Sequence, residues 1–134
     1  MTVESIMKQR VVTVEMDDSL ETVQDIFRKV RFHHLLVVSG KQLVGVISDR
    51  DLFKAVSPFL DTLSETDRDL STLQKRVHQI MTRKLITVSK AMSIRKAAQV
   101  LMEENVSCLP VVTEDRNIEG ILTWKDILCG VLTH

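Results

Sequence analysis

Apolar residues follow two different spacings along the chain, and these spacings predict the order of its elements. A β-branched run at residues 11–14 has the length and composition of a strand. Ser19 then stands where a helix N-cap is expected, ahead of apolar residues that recur every three or four positions. Two further strand-like runs, at residues 35–38 and 43–47, flank a turn that contains Gly40 and predict a hairpin. The helical stripe consists of Leu20, Val23, Ile26, Phe27 and Val30.

A second helix is expected to begin after Ser48. It should end near Pro58, because a proline disfavours helical geometry in the residue before it. These elements together predict a β-α-β-β-α unit.

The same order of signals occurs a second time. Residues 6–39 align with residues 80–113 at a constant offset of 74, and residues 45–51 align with residues 120–126 at an offset of 75. Two copies of one unit predict a pseudo-symmetric α/β fold, and a functional site that occurs twice. The predicted division is a first repeat at residues 1–60, a connecting segment at 61–76 and a second repeat at 77–134.

The second copy predicts elements that match those of the first. Ser93 is the expected N-cap of its first helix, and a second helix should follow Thr123. The helical stripe consists of Ile94, Ala97, Ala98, Leu101 and Met102. The strand-like runs are residues 85–88, 109–112 and 118–122.

The segment between the two repeats also has a helical pattern. Apolar residues recur at spacings of three and four, with acidic residues early and basic residues late, which is the charge order that a helix dipole favours. This predicts an amphipathic connecting helix that packs on the body of the protein or on a second subunit. The stripe consists of Leu70, Leu73, Val77 and Ile80.

Composition narrows the class of protein. The 134 residues are 44% hydrophobic and 27% charged, as in a globular domain. The 18 basic and 18 acidic residues give a formal net charge of zero, and the sequence has no basic stripe that would indicate nucleic-acid binding. Cys108 and Cys129 lack the spacing of a zinc site and are expected as reduced thiols in or near the core. No apolar run approaches the roughly 20 residues of a membrane span, so we expect a cytoplasmic protein without membrane insertion.

One four-residue motif occurs in both repeats at the start of the last helix. Ser48 and Asp51 form an [S/T]-x-x-D box, as do Thr123 and Asp126. Such a box caps a helix, because the hydroxyl and the carboxylate each accept a hydrogen bond from the other residue's backbone N–H. The same carboxylate could instead accept hydrogen bonds from the two vicinal hydroxyls of a ribose. Capping and binding are compatible, and both remain open at this point.

The repeated unit resembles the CBS domain, and the pair resembles the module often called a Bateman module. The resemblance rests on Ile-Met near the start of each unit, on the strand Cys-Leu-Pro-Val-Val, and on a glycine, two apolar residues and the [S/T]-x-x-D box before the last helix. The resemblance covers almost the whole chain, and it is strongest to stand-alone bacterial two-repeat proteins of the acetoin-utilisation-like type. It implies two repeats, each with a small sheet, that are related by a pseudo-two-fold axis, and clefts between the repeats that bind AMP, ADP, ATP or S-adenosylmethionine.

The resemblance also implies roles for particular residues. Ribose would be held by Ser48, Asp51, Thr123 and Asp126. Phosphate would be contacted by Arg50, Lys125, His33 and His34, for which solvated surface positions are the alternative. The adenine pocket would be lined by Val12, Thr13, Ile86, Thr87, Leu36, Val37, Pro110 and Val111, for which plain core packing is the alternative.

The two repeats depart from the family pattern in different ways. Leu36 stands where proline is common in the first repeat, while the second keeps Pro110 but has Ser107 and Cys108 in place of the basic pair. With His33 and His34 in the first repeat, the two sites should be electrostatically unequal. Trp124 has no role that the resemblance implies, and an interface position and core packing both remain open.

Three functions follow as hypotheses. The first is a homodimeric regulatory module that needs no cofactor, senses an adenosine nucleotide as its regulatory ligand, and signals to a regulated protein that the sequence does not identify. The second is a structural module for dimerisation or partner binding with degenerate, ligand-free clefts. An enzyme is the least supported, because no nucleophile–base pair, metal cluster or glycine-rich phosphate loop is recognisable.

Overall fold

The computed structural model describes residues 1–133, which form a mixed α/β protein with two sets of strands and helices. Short 3-10 turns at Val3–Ser5 and Thr72–Gln74 accompany the regular elements. In chain order these are β1 Thr13–Glu15, α1 Leu20–Lys29, β2 His34–Ser39, β3 Gln42–Ser48, α2 Asp49–Ala55, α3 Asp67–Ser71, α4 Val77–Ile80, α5 Ile94–Glu104, β4 Cys108–Val112, β5 Ile118–Thr123 and α6 Trp124–Thr133.

The predicted helix starts are confirmed by the hydrogen bonds of their caps. The Ser19 hydroxyl accepts a hydrogen bond from the Thr22 backbone N–H at 3.3 Å, and the Ser93 hydroxyl accepts one from the Lys96 N–H at 3.1 Å. Each bond satisfies one of the N–H groups that a helix leaves unpaired in its first turn.

The chain divides into two compact units. One, called unit N here, comprises residues 12–39 and 44–84; the other, called unit C, comprises residues 1–11, 40–43 and the chain from Leu85 onward. The units therefore do not follow the order of the sequence, because the opening eleven residues pack with the second repeat.

Unit N contains a three-stranded sheet in the order β1-β2-β3. β1 runs parallel to β2 and pairs Val14 with Val37. An antiparallel bridge joins Val46 of β3 to Thr82, whose N–H and C=O both bond to Val46, at 2.8 and 3.1 Å. The segment at Thr82 thus continues the sheet beyond β3.

Unit C contains the corresponding arrangement. β4 and β5 form an antiparallel pair, with an irregularity in register between Val111 and Val112. Val88 bridges to Val111 in the parallel sense, and Lys8 bridges to Ile121 in the antiparallel sense. The segment at Lys8 therefore lies against β5 as the segment at Thr82 lies against β3.

The strand predicted at residues 85–88 is reduced to the single bridge at Val88. In unit N the Leu36 N–H donates to the Val12 carbonyl at 3.2 Å and extends the pairing of β1 with β2. Pro110 occupies the equivalent position in β4 and has no N–H to donate, so the matching bond to Ile86 is not available. One proline accounts for the shorter pairing in the second repeat.

Each unit has its own hydrophobic core, to which a distant part of the sequence also contributes. Val3 is fully buried in the core of unit C, and Val77, which aligns with Val3 at the offset of 74, is fully buried in the core of unit N. The other buried core residues of unit C are Val88, Ile94, Ala97, Leu101, Leu109, Val111, Leu122 and Ile127. Those of unit N are Val14, Leu20, Val23, Leu35, Val37, Ile47, Leu52 and Met81.

Two glycines allow these distant segments to approach the sheets closely. A Cβ atom on Gly120 would lie 2.7 Å from the Lys8 carbonyl oxygen, and one on Gly45 would lie 2.7 Å from the Met81 sulfur and 3.1 Å from the Thr82 carbonyl oxygen. Any larger residue at either position would have to displace the neighbouring segment.

The connecting segment is not the single amphipathic helix that its periodicity predicts. It consists of α3, a 3-10 turn and α4, separated by extended backbone at residues 75–76. The break has a tertiary cause, because the Leu20 N–H donates to the Lys75 carbonyl at 2.8 Å and the Val77 N–H donates to the Asp18 carbonyl at 2.9 Å. The predicted stripe is divided as a result, with Val77 fully buried and Leu70 exposed.

Among the helices of residues 1–133, none combines the length and the apolar character that crossing a bilayer requires.

Candidate functional site

The first [S/T]-x-x-D box lies at the junction of β3 and α2. The Ser48 N–H donates to Oδ2 of Asp51 at 2.9 Å, and the Asp51 N–H donates to the Ser48 hydroxyl at 3.0 Å. Ser48 and Asp51 are half-buried. Within the described chain, no hydrogen bond or ion pair reaches Oδ1 of Asp51, so this oxygen retains its capacity to accept.

The second box lies at the junction of β5 and α6 and is more deeply enclosed. Oδ2 of Asp126 accepts hydrogen bonds from the Thr123 N–H at 2.9 Å and the Thr123 hydroxyl at 3.0 Å. The Asp126 side chain is only 6% exposed, and its other oxygen, Oδ1, lies 3.5 Å from the Lys8 Nζ atom. Both carboxylate oxygens of Asp126 are thus engaged by this chain.

A third box outside the two repeats has the same local geometry. Oδ2 of Asp69 accepts hydrogen bonds from the Thr66 N–H at 2.9 Å and the Thr66 hydroxyl at 3.0 Å, which opens α3. Its Oδ1 accepts a hydrogen bond from the Ser57 hydroxyl at 2.7 Å; this bond and those from Thr66 hold the pKa of the Asp69 carboxyl below its usual value. Box geometry alone therefore indicates helix capping, and a ligand role needs further support.

The two histidines of the first repeat have different surroundings. Nδ1 of His33 lies 2.8 Å from Oδ2 of Asp49, the first residue of α2, although the His33 side chain is largely exposed. Burial lowers the pKa of His34; Asp49 and Asp51 oppose this shift, whereas His33 adds to it. His34 is therefore mainly neutral at pH 7 and becomes positively charged only at lower pH.

Asp49 is a residue that the sequence reasoning did not include. The structure brings it to the His33 imidazole, and its backbone N–H donates to the His33 carbonyl at 3.0 Å. The signal was present in the two acidic residues of Ser48-Asp49-Arg50-Asp51, but nothing in the sequence showed which of them faces the histidine pair.

The predicted phosphate contacts on the helices are exposed. Arg50 and Lys125 lie in the first turns of α2 and α6, directly before the box aspartates. Exposure leaves them able to reach a ligand and is equally compatible with a solvated surface position.

The predicted adenine-pocket residues separate into three groups. Val37 and Val111 are fully buried members of the two cores. Leu36 and Pro110 are also buried. Because successive residues of a strand point to opposite faces, their side chains project from the face of the sheet that is opposite to those cores. The remaining four are partly buried or exposed: Val12, Thr13, Ile86 and Thr87.

Cys108 is buried as predicted, and burial raises the pKa of its thiol to about 12. The prediction that Cys129 lies in or near the core is wrong, because Cys129 is exposed on α6. Within residues 1–133, no group of three or more His, Cys, Asp or Glu side chains has a geometry that could hold a metal ion.

Paired β-α-β-β-α repeats whose last helices open with an acidic box define a class of tandem α/β modules, and comparison with known proteins identifies the family. The CBS domain model matches this chain twice, at residues 3–58 and 77–132. The chain belongs to the CBS domain family, as the resemblance of its repeats predicted.

A curated relative matches nearly the full length of the chain. Protein MJ1426 of Methanocaldococcus jannaschii is 30% identical, in an alignment that covers 96% of this chain and 89% of the relative. Other curated relatives are longer, and the chain spans 40% of one and 23% of another.

Solved structures share the fold, and several of them hold adenosine compounds. The CBS domain pair of protein MJ0100, in complex with 5′-methylthioadenosine and S-adenosyl-L-methionine, is 27% identical with a TM-score of 0.81, covering 99% of this chain and 97% of its own. CBSX2 in complex with AMP is also 27% identical with a TM-score of 0.81, covering 98% and 96%. The predicted α/β fold of two repeats is confirmed.

The predicted likeness to acetoin-utilisation proteins is found as well. A putative acetoin utilization protein (AcuB) from Vibrio cholerae has a TM-score of 0.78 over 99% of this chain and 91% of its own. At 21% identity, this likeness concerns the fold alone.

Proposed function

We propose that the chain is a regulatory module that binds adenosine-containing nucleotides (AMP, ADP or ATP, or S-adenosylmethionine) and signals their presence to a partner protein. The observation that carries this proposal is the Asp51 carboxylate, which uses Oδ2 to cap α2 and keeps Oδ1 available. Two vicinal ribose hydroxyls can donate to such a carboxylate. Relatives at 27% identity bind AMP and S-adenosyl-L-methionine, which supports the same ligand class here.

Basic groups of the first repeat would supply the phosphate contacts. The Arg50 guanidinium is exposed one residue before Asp51 and offers the planar fork that suits a phosphate. His33 and His34 lie beside the acidic start of α2. Because burial keeps His34 mainly neutral at pH 7, Arg50 would be the principal cation for a phosphate at that pH.

Regulation by such a ligand requires no chemistry on the ligand itself. A bound nucleotide shifts a conformational equilibrium only as far as its affinities for the two states differ. The proposed role is therefore sensing and not catalysis, with the nucleotide as an exchangeable ligand and no resident cofactor.

The proposal is tested by ligand binding to protein freed of nucleotide by unfolding and refolding. Thermal shift and calorimetry with AMP, ADP, ATP, S-adenosylmethionine and the pyrimidine nucleotide CMP are expected to show binding of at least one adenosine compound and none of CMP. A ligand at 100 times its dissociation constant should stabilise the protein by about 2.7 kcal/mol. Absence of any response to the adenosine compounds would rule out the sensing function.

A structural module for dimerisation or partner binding is the second candidate, and exposed apolar residues on the last helix of each repeat favour it. Phe53 of α2 and Leu128 of α6 are equivalent positions, and these residues are 73% and 58% exposed. On α6, Val131 and Leu132 extend the exposed apolar surface. A second copy of the chain would cover such surfaces through an interface with two-fold symmetry, and we propose a homodimer under either function.

Sedimentation equilibrium at micromolar concentration is expected to give a dimer. The double substitution Leu128→Glu with Leu132→Glu should shift the protein to the monomer, because it places charges in the proposed apolar interface. Met102→Glu is the control, since Met102 is 69% exposed, between Leu128 at 58% and Leu132 at 83%, but lies on α5 and should leave the dimer intact. A wild-type monomer with and without AMP would contradict the homodimer, and a dimer that binds no adenosine compound would favour the structural module.

A further inference from the structure

Lys8 distinguishes the second box from the first. Its ammonium group lies 3.5 Å from Oδ1 of Asp126, the oxygen that corresponds to the unengaged Oδ1 of Asp51. The Lys8 side chain is 47% exposed and the Asp126 side chain is 6% exposed, so the ion pair joins a half-exposed ammonium group to an enclosed carboxylate.

The backbone of Lys8 is held firmly in this place. Its N–H donates to the Ile121 carbonyl at 2.9 Å, and its carbonyl accepts from the Ile121 N–H at 2.9 Å. Gly120 permits the contact, because a Cβ there would lie 2.7 Å from the Lys8 carbonyl oxygen. The backbone of Lys8 is therefore fixed beside β5. Asp126 lies three residues beyond the end of that strand.

The first box has an uncharged residue in the equivalent place. Thr82 aligns with Lys8 in the sequence repeat, and it makes the same pair of backbone hydrogen bonds, to Val46 in β3. Gly45 permits that approach as Gly120 permits the other. The two boxes therefore share this backbone arrangement, and at this equivalent position the second box has a cation where the first has Thr82.

We propose that Lys8 closes the ribose position of the second box by neutralising Asp126 Oδ1, so that an adenosine ligand binds preferentially at the box of Asp51. The proposal rests on the proposed nucleotide-binding function and assigns its regulation to one residue. A ribose at Asp126 must first separate the ammonium from a buried carboxylate, whereas a ribose at Asp51 has no such contact to displace. Lys8 acts through Asp126 and is thus a positioning residue.

The test isolates the second box by placing every Lys8 variant in an Asp51→Asn background. Calorimetry with AMP and with adenosine is expected to give an affinity about three- to tenfold higher for Lys8→Thr and Lys8→Gln than for Lys8 itself. Lys8→Arg retains the positive charge and should retain the low affinity. In the otherwise wild-type chain, Thr82→Lys should weaken binding at the first box, with Thr82→Ser as its control.

The outcomes separate this inference from the function on which it rests. Equal affinities for Lys8 and its neutral variants would overturn the role of Lys8 while leaving nucleotide binding in place. A weaker AMP affinity in Lys8→Thr with an unchanged adenosine affinity would also overturn it, because the ammonium would then be a phosphate contact. Absence of binding in the wild type, Lys8→Thr and Lys8→Gln alike, with thermal unfolding showing all three folded, would overturn both proposals.

Discussion

Val3→Asp is expected to unfold unit C, although Val3 stands at the beginning of the first repeat. Val3 is fully buried among core residues that come almost entirely from the second repeat. An unpaired charge in that position should cost about 3–5 kcal/mol, which is a large part of the 5–15 kcal/mol that stabilises a typical domain. Hydrogen exchange should therefore show lost protection in α5, β4 and β5, and a smaller loss in α1 and β2.

Val77→Asp provides the reciprocal experiment. Val77 is equivalent to Val3 and is fully buried in the core of unit N, so its substitution should remove protection from α1 and β2 first. Thr2→Asp is the control for Val3→Asp, because it places the same charge on the neighbouring residue, which is exposed. If Val3→Asp instead removed protection mainly from β1 to α2, residues 1–11 would belong energetically to the first repeat, contrary to the packing described above.

Most of the local structure could be predicted because it depends on nearby residues. Ser19 and Ser93 cap their helices as expected, since an N-cap needs only a hydroxyl and the N–H groups of the next turn. The hairpins follow for the same reason, from short β-branched runs on either side of a turn.

The errors in the predicted fold arise where distant residues decide the outcome. The helical periodicity of the connecting segment was real, but backbone bonds from residues 18–20 hold Lys75 and Arg76 in an extended conformation. The strand predicted at residues 85–88 was limited by the missing N–H of Pro110. Residues 18–20 lie outside the stretch of sequence from which the connecting helix was predicted, and Pro110 lies outside the stretch from which the strand at residues 85–88 was predicted.

The candidate site shows the same division between local and distant information. The capping geometry of both boxes follows from four consecutive residues and was predicted correctly as one of two alternatives. The ion pair of Lys8 with Asp126 was not predicted, because it joins residues separated by nearly the whole chain. The ribose, phosphate and adenine roles of the remaining residues stay predictions until ligand binding is measured.

Asp51→Asn is expected to weaken the binding of AMP by about tenfold or more while leaving the chain folded. The asparagine carbonyl can still accept the Ser48 N–H and preserve the cap, so the loss of stability should stay below about 1 kcal/mol. Hydrogen bonds from a ribose to a charged carboxylate contribute roughly 1.5–3 kcal/mol, which corresponds to at least about a tenfold change in affinity. Calorimetry with AMP measures the affinity, and thermal unfolding of the same sample measures the stability.

Asp126→Asn should weaken AMP binding by less, because Lys8 already engages that carboxylate. Asp69→Asn is the matched control, since Thr66 and Asp69 form a box with the same hydrogen bonds outside both repeats. Its carboxylate also accepts from Ser57, and its pKa is lowered in the folded protein, so the stability it provides is present above the unfolded pKa of about 3.9 and is lost as the pH falls through the lower folded value. Asp69→Asn should therefore reduce stability at neutral pH and leave AMP affinity unchanged. If Asp51→Asn behaves in the same way, with wild-type affinity, the boxes of the two repeats cap their helices and hold no ribose.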